Sequence, residues 1–145
     1  MTSETASVWL KLASLTVIAL GLIFAAAAHP AGQLPVGLLT DIVFFHLGHS
    51  VPIDAAPTRL FLAIGGGVMV GWGAMMWILV TRLMPREPAL ARLILIEGTL
   101  AWFVVDSLGS LASGGYLNIP LNTALMLMIV APAWLSSGKG ATSPA

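Results

Sequence analysis

The sequence contains no cysteine. Disulfides, thiol nucleophiles, thiolate zinc sites and cysteine-ligated iron–sulfur clusters are therefore excluded. The redox compartment stays open, because a membrane protein can lack cysteine anywhere. Charge is almost as scarce: charged side chains make up 8% of the 145 residues, against about 25% in an average soluble domain. Six basic and six acidic residues cannot cover the surface of a soluble domain of this size. Their zero net sum leaves no basic patch to attract nucleic acid. These deficits argue against a soluble enzyme, a nucleic-acid binder and a disordered chain.

What is present is apolar. The residues are 58% hydrophobic and the mean hydropathy is +0.97. Four apolar stretches, about residues 8–28, 60–80, 89–111 and 119–135, each approach the roughly 20 residues a spanning helix needs. Lipid cannot satisfy open backbone groups, and the pattern lacks the ten-residue alternation of a barrel, so the spans are helical. The expected fold is an all-α membrane protein in one domain, a four-transmembrane-helix bundle with membrane lipids as its surroundings. Met84-Pro85-Arg86-Glu87-Pro88 forms a tight turn between the second and third spans. Ser113-Gly114-Gly115 ends the third, Asn118 is a candidate N-cap for the fourth, and residues 136–145 form a small, polar, disordered tail.

The first connection is longer than a bare loop in a bundle. Within it, residues 36–47, VGLLTDIVFFHL, are apolar but too short to span. They read as an outer interfacial helix over the bundle mouth, with a re-entrant segment as the alternative. Lys11, Arg82, Arg86, Arg92 and Lys139 fall on one side of the four spans and Arg59 on the other. The positive-inside rule then places both termini in the cytoplasm and the long loop outside. Trp9 and Trp134 fit the inner interface and Tyr116 the outer one. Residues 24–29, FAAAAH, resemble a signal-peptide cleavage site. However, Glu4 offsets Lys11 and the apolar run slightly exceeds the usual ~7–15 residues, so the first helix is read as retained.

Asp106 and Arg59 count to nearly the same depth at the outer rim, on helices joined by a short turn. They are expected to pair, with Asn118 and Asn122 completing a polar cluster that either binds a ligand or locks the helices. Glu97 lies well inside the third span, nine residues before Asp106 and therefore on the opposite face. It reads as a protonatable or ligand-contacting carboxylate, or as one hydrogen-bonded to Ser14 or Thr16 across a helix contact. His46 and His49 are three apart beside Asp41 and form a weak metal or haem pair, with headgroup-facing polar residues as the alternative. Ala63, Gly67 and Gly71 form a small-residue face that seats another helix, either within the chain or in a homodimer or larger complex.

Arg59-Leu60, Ala63, the glycine run from Gly65 to Gly73 and Trp77 resemble the second helix of small bacterial four-helix membrane proteins near the DoxX-like group. The long outer loop, the arginine-rich hairpin and the segments 102–107 (WFVVDS) and 117–122 (LNIPLN) extend that resemblance over about residues 57–135. It implies a four-helix fold in a bacterial inner membrane and no particular reaction. The function expected is a non-enzymatic accessory subunit or a binder of a lipid or quinone-like molecule. The alternatives are a small proton-coupled transporter using Glu97 and Asp106, and a haem- or metal-binding oxidoreductase subunit using His46 and His49. No resident cofactor is expected; haem, a metal or a quinone are the alternatives.

Overall fold

Thr2 accepts a hydrogen bond from the Thr5 N–H at 3.2 Å and so caps the first helix, α1 (Ser3–Ala26), at an end where four N–H groups otherwise lack partners. In the computed structural model, which describes residues 1–46 and 53–136, four further helices follow. They are α2 (Gln33–Val43), α3 (Ala56–Ile78), α4 (Pro88–Ser113) and α5 (Asn118–Leu135). A π-helical stretch, Leu79–Leu83, continues α3. With it, α1, α3, α4 and α5 are all long and apolar enough to cross a membrane. The protein is an all-α four-helix bundle and a multi-pass membrane protein. The Met1 ammonium lies 3.5 Å from the Leu135 carbonyl, so α1 begins and α5 ends at the same end of the bundle. That end also holds Arg82, Arg86 and Arg92, and is called the arginine end below.

Residue size decides which helices touch. α1 lies between α3 and α5, and α4 packs on α5. A Cβ on Gly66 would collide with the Ala25 nitrogen, and one on Gly21 would stand 2.7 Å from the Gly66 carbonyl. One turn-pair further on, a Cβ on Gly73 would stand 2.9 Å from the Ser14 carbonyl. These glycines let two backbones meet, which in lipid is a main source of helix association. The face predicted from sequence, with Gly67 and Gly71, seats no helix among the described residues: a Cβ on either would meet nothing of them within 4 Å. The packing face is Gly66 and Gly73, and the helix seated on it is α1.

The expected close pairing of α3 with α4 is likewise replaced. Their connection is short, but it constrains only their ends at the arginine side. Midway, the Trp72 and Trp102 rings meet with centroids 5.3 Å apart and an interplanar angle of 40°. Rings of this size hold the two backbones apart. The close-packed core lies in the arginine half, around Leu10, Val17, Met76, Val80, Leu95 and Ile129. A smaller cluster of Ala27, Val36 and Ile53 closes the other end beneath α2. Between the two clusters lies a half-open cavity.

The short helix forms as expected but is shifted. It runs over Gln33–Val43 rather than 36–47 and stops before Gly48. His46 N–H bonds the Asp41 carbonyl at 2.8 Å and Phe45 N–H bonds Ile42 at 3.1 Å, the paired pattern of a Schellman stop. Phe45 occupies the left-handed position that glycine usually takes, at φ 59°. α3 starts earlier than expected, at Ala56, with Pro57 in its first turn. Gly114, at φ 80°, ends α4, and Asn118 opens α5 without capping it.

Candidate functional site

The cavity has a volume of about 490 Å³, is half open to the outside, and lies in the half of the bundle beneath α2. Its walls are apolar: Leu20 and Phe24 from α1, Val36 and Val43 from α2, Leu62 and Met69 from α3. Trp102 and Leu125 close it toward the arginine half. Polar groups reach it from α4 and α5 alone, apart from Thr40. They are Asp106, Ser110 and Ser113, facing Asn118 and Asn122. A volume of this size, with apolar walls and a few convergent polar groups, matches the usual form of a small-molecule site.

Antiparallel packing of α4 on α5 sets the geometry. The Asn118 amide donates to the Ser110 hydroxyl at 2.8 Å and to the Asp106 carboxylate at 3.4 Å. These two bonds explain why Asn118 is not the N-cap expected from sequence: its side chain is committed across the helix contact. Asn122, one turn deeper in α5, therefore lies level with residues 102–106 of α4. Asn122 is only 5% exposed, and its amide nitrogen is buried with no hydrogen-bond partner. Leaving such a donor unmatched costs about 1–3 kcal/mol. The Thr99 and Ser107 hydroxyls are also buried without partners, but neither lines the cavity.

The hydroxyls on the wall have already used their protons. Ser110 donates to the Asp106 carbonyl at 2.8 Å, Ser113 to the Ser110 carbonyl at 3.1 Å and Thr40 to the Val36 carbonyl at 2.8 Å. Asp106 is the one charged residue among those described on the wall. Its carboxylate receives the single bond from Asn118, which leaves acceptor capacity facing the cavity.

Of the cluster expected from sequence, the structure thus brings together Asp106, Asn118 and Asn122. Arg59 is not part of it: it does not line the cavity and forms no ion pair with Asp106. The reason is the packing described above, which seats α3 on α1 and holds it off α4. Ser110 was missed in the sequence, although a signal was present. Asp106 and Ser110 are four apart on α4, as Asn118 and Asn122 are on α5, so two polar pairs face each other across a short turn.

Glu97 sits on α4 away from the cavity, with its side chain exposed on the bundle exterior. It does not meet the hydroxyls proposed for it from sequence. Ser14 donates to the Leu10 carbonyl at 2.8 Å and Thr16 to the Leu12 carbonyl at 3.0 Å. His46 is exposed just past α2, and His49 lies outside the described residues. His29 accepts from the Ala31 N–H at 3.2 Å and caps a short 3₁₀ turn. Among the described residues, no three His, Asp or Glu side chains are grouped to hold a metal ion.

No protein-family model matches the chain, and neither a curated protein nor a solved structure was found to be similar to it.

Proposed function

We propose that this is a non-enzymatic protein of a bacterial inner membrane that holds an apolar small molecule, of lipid or quinone-like character, in the cavity beneath α2. The observation that carries this reading is the cavity of about 490 Å³ itself, with apolar walls from α1, α2 and α3 and the polar residues Asp106, Asn118 and Asn122 on one side. The Asp106 carboxylate, which receives one hydrogen bond from Asn118, is the charged group that a bound molecule would meet there. Glu97 and Asp106 lie on opposite faces of α4, so they do not support a proton path through this cavity.

The orientation belongs to the same proposal. Lys11, Arg82, Arg86 and Arg92 gather at one end and Arg59 stands at the other, which supports cytoplasmic termini and an outward-facing cavity. The open Gly67 and Gly71 positions, with Ala63, support close approach of a helix from outside the chain. That helix would belong to a second copy or a larger membrane complex, as an accessory subunit requires. The resemblance of residues 57–135 to DoxX-like proteins is part of this proposal.

Organic extraction of the purified protein, followed by mass spectrometry, tests the reading. The expected result is one apolar species released in near-equimolar amount. A bulk lipid mixture in the proportions of the host membrane would contradict it.

A further inference from the structure

We infer that the molecule held in the cavity carries a cationic head, an ammonium on an apolar body, with Asp106 as its counter-ion. This rests on the cavity being a ligand site, as proposed above, and names the head group of its occupant. The wall is unbalanced in charge: Asp106 is acidic, and no basic side chain stands among the described wall residues. Asp106 is half-buried. Among the described residues its carboxylate has one partner, the Asn118 amide at 3.4 Å. The second carboxylate oxygen is neither bonded nor buried, and so is open to an approaching group. A charge inside a membrane protein is stabilised by a partner of opposite sign, and this wall supplies none.

The rest of the wall agrees. Phe24, Phe44 and Trp102 bring aromatic side chains to the cavity from α1, the end of α2 and α4. Aromatic faces attract cations, quaternary ammonium ions among them. Trp102 precedes Asp106 by four residues, so ring and carboxylate lie one turn apart on one face of α4. The Ser110, Ser113 and Thr40 hydroxyls each donate to a backbone carbonyl, which leaves lone pairs rather than protons for a ligand. An anionic head would set a second negative charge beside Asp106. A neutral head would leave the carboxylate without a counter-charge. Leu20, Leu62, Met69 and Leu125 take the hydrocarbon body.

Pyridinium quenches indole fluorescence, and Trp102 reports from the wall. N-hexylpyridinium is titrated into the full-length protein in micelles of an uncharged maltoside detergent. Trp102→Phe gives the background from the other tryptophans. Three non-quenching competitors of equal chain length then displace the probe: hexyltrimethylammonium, hexan-1-ol and hexane-1-sulfonate, each compared at its measured micellar concentration. The expected result is saturable, Trp102-dependent quenching. Hexyltrimethylammonium should reverse it at a concentration about 10-fold or more below that of the other two. Asp106→Asn keeps an oxygen for the Asn118 amide and removes the charge. It should weaken N-hexylpyridinium binding by a similar factor.

Displacement by hexan-1-ol as readily as by the ammonium would overturn the cationic head while leaving the ligand site standing. Tightest binding by the sulfonate, or undiminished N-hexylpyridinium binding in Asp106→Asn, would do the same. Absence of saturable quenching would also overturn the inference. One apolar species still released by organic extraction would then keep the ligand site, and a bulk lipid mixture would remove both.

Discussion

The Asn118 amide donates to the Ser110 hydroxyl at 2.8 Å and ties the start of α5 to the last turns of α4. A double-mutant cycle on Ser110→Ala and Asn118→Ala should show coupling of about 0.5–1.5 kcal/mol in unfolding from mixed micelles. The same measurement on Arg59→Leu and Asp106→Leu should give additive losses, within about 0.3–0.5 kcal/mol, because the two residues share no contact. Coupling between Arg59 and Asp106 above that range would mean that α3 and α4 approach more closely than the Trp72–Trp102 wedge allows.

The glycine run offers a sharp contrast between adjacent positions. Gly66→Ala places a Cβ against the backbone of α1 at Ala25 and Gly21, and relief requires the two helices to move apart. The expected loss is about 1–3 kcal/mol, the usual cost of overpacking. Gly67→Ala places its methyl in open space. It should leave the monomer's stability unchanged or raise it by up to about 1 kcal/mol through helix propensity. Unfolding midpoints in a single detergent would read both. Equal losses at the two positions would contradict the packing face.

Topology follows from the distribution of cationic residues. Reporter fusions after Met84 and after Ser136 are expected to read cytoplasmic, and one after Ile53 external. An external reading after Met84 would invert the orientation and place the cavity on the cytoplasmic side.

The spans were legible in the sequence because crossing a bilayer imposes length and hydropathy, and both are written residue by residue. The partners of each span were not. A two-proline turn fixes where α3 and α4 join, but not whether they stay together along their length. That is decided by Gly21 and Gly73, whose role appears only when α1 and α3 are seen side by side. The consecutive glycines 65–67 made the choice of face ambiguous, since neighbouring residues point about 100° apart and all three look equally small. The stop of α2 was hidden for a related reason. Its left-handed position carries Phe45, a residue with no turn signature, while Gly48 offered the more familiar signal. Three members of the polar cluster were readable because depth counting along short-linked helices is dependable. Arg59 failed because depth alone does not give direction around the helix.

The central claim is that the cavity beside Asn122 holds a small molecule, and native mass spectrometry of the intact protein reads this directly. The wild-type protein should carry one non-covalent adduct of constant mass, and Asn122→Leu should lower the bound fraction at matched expression and detergent. The Gly67→Ala control should retain the adduct. A wild-type protein with no adduct of constant mass, or an adduct equally abundant in Asn122→Leu, would contradict the account.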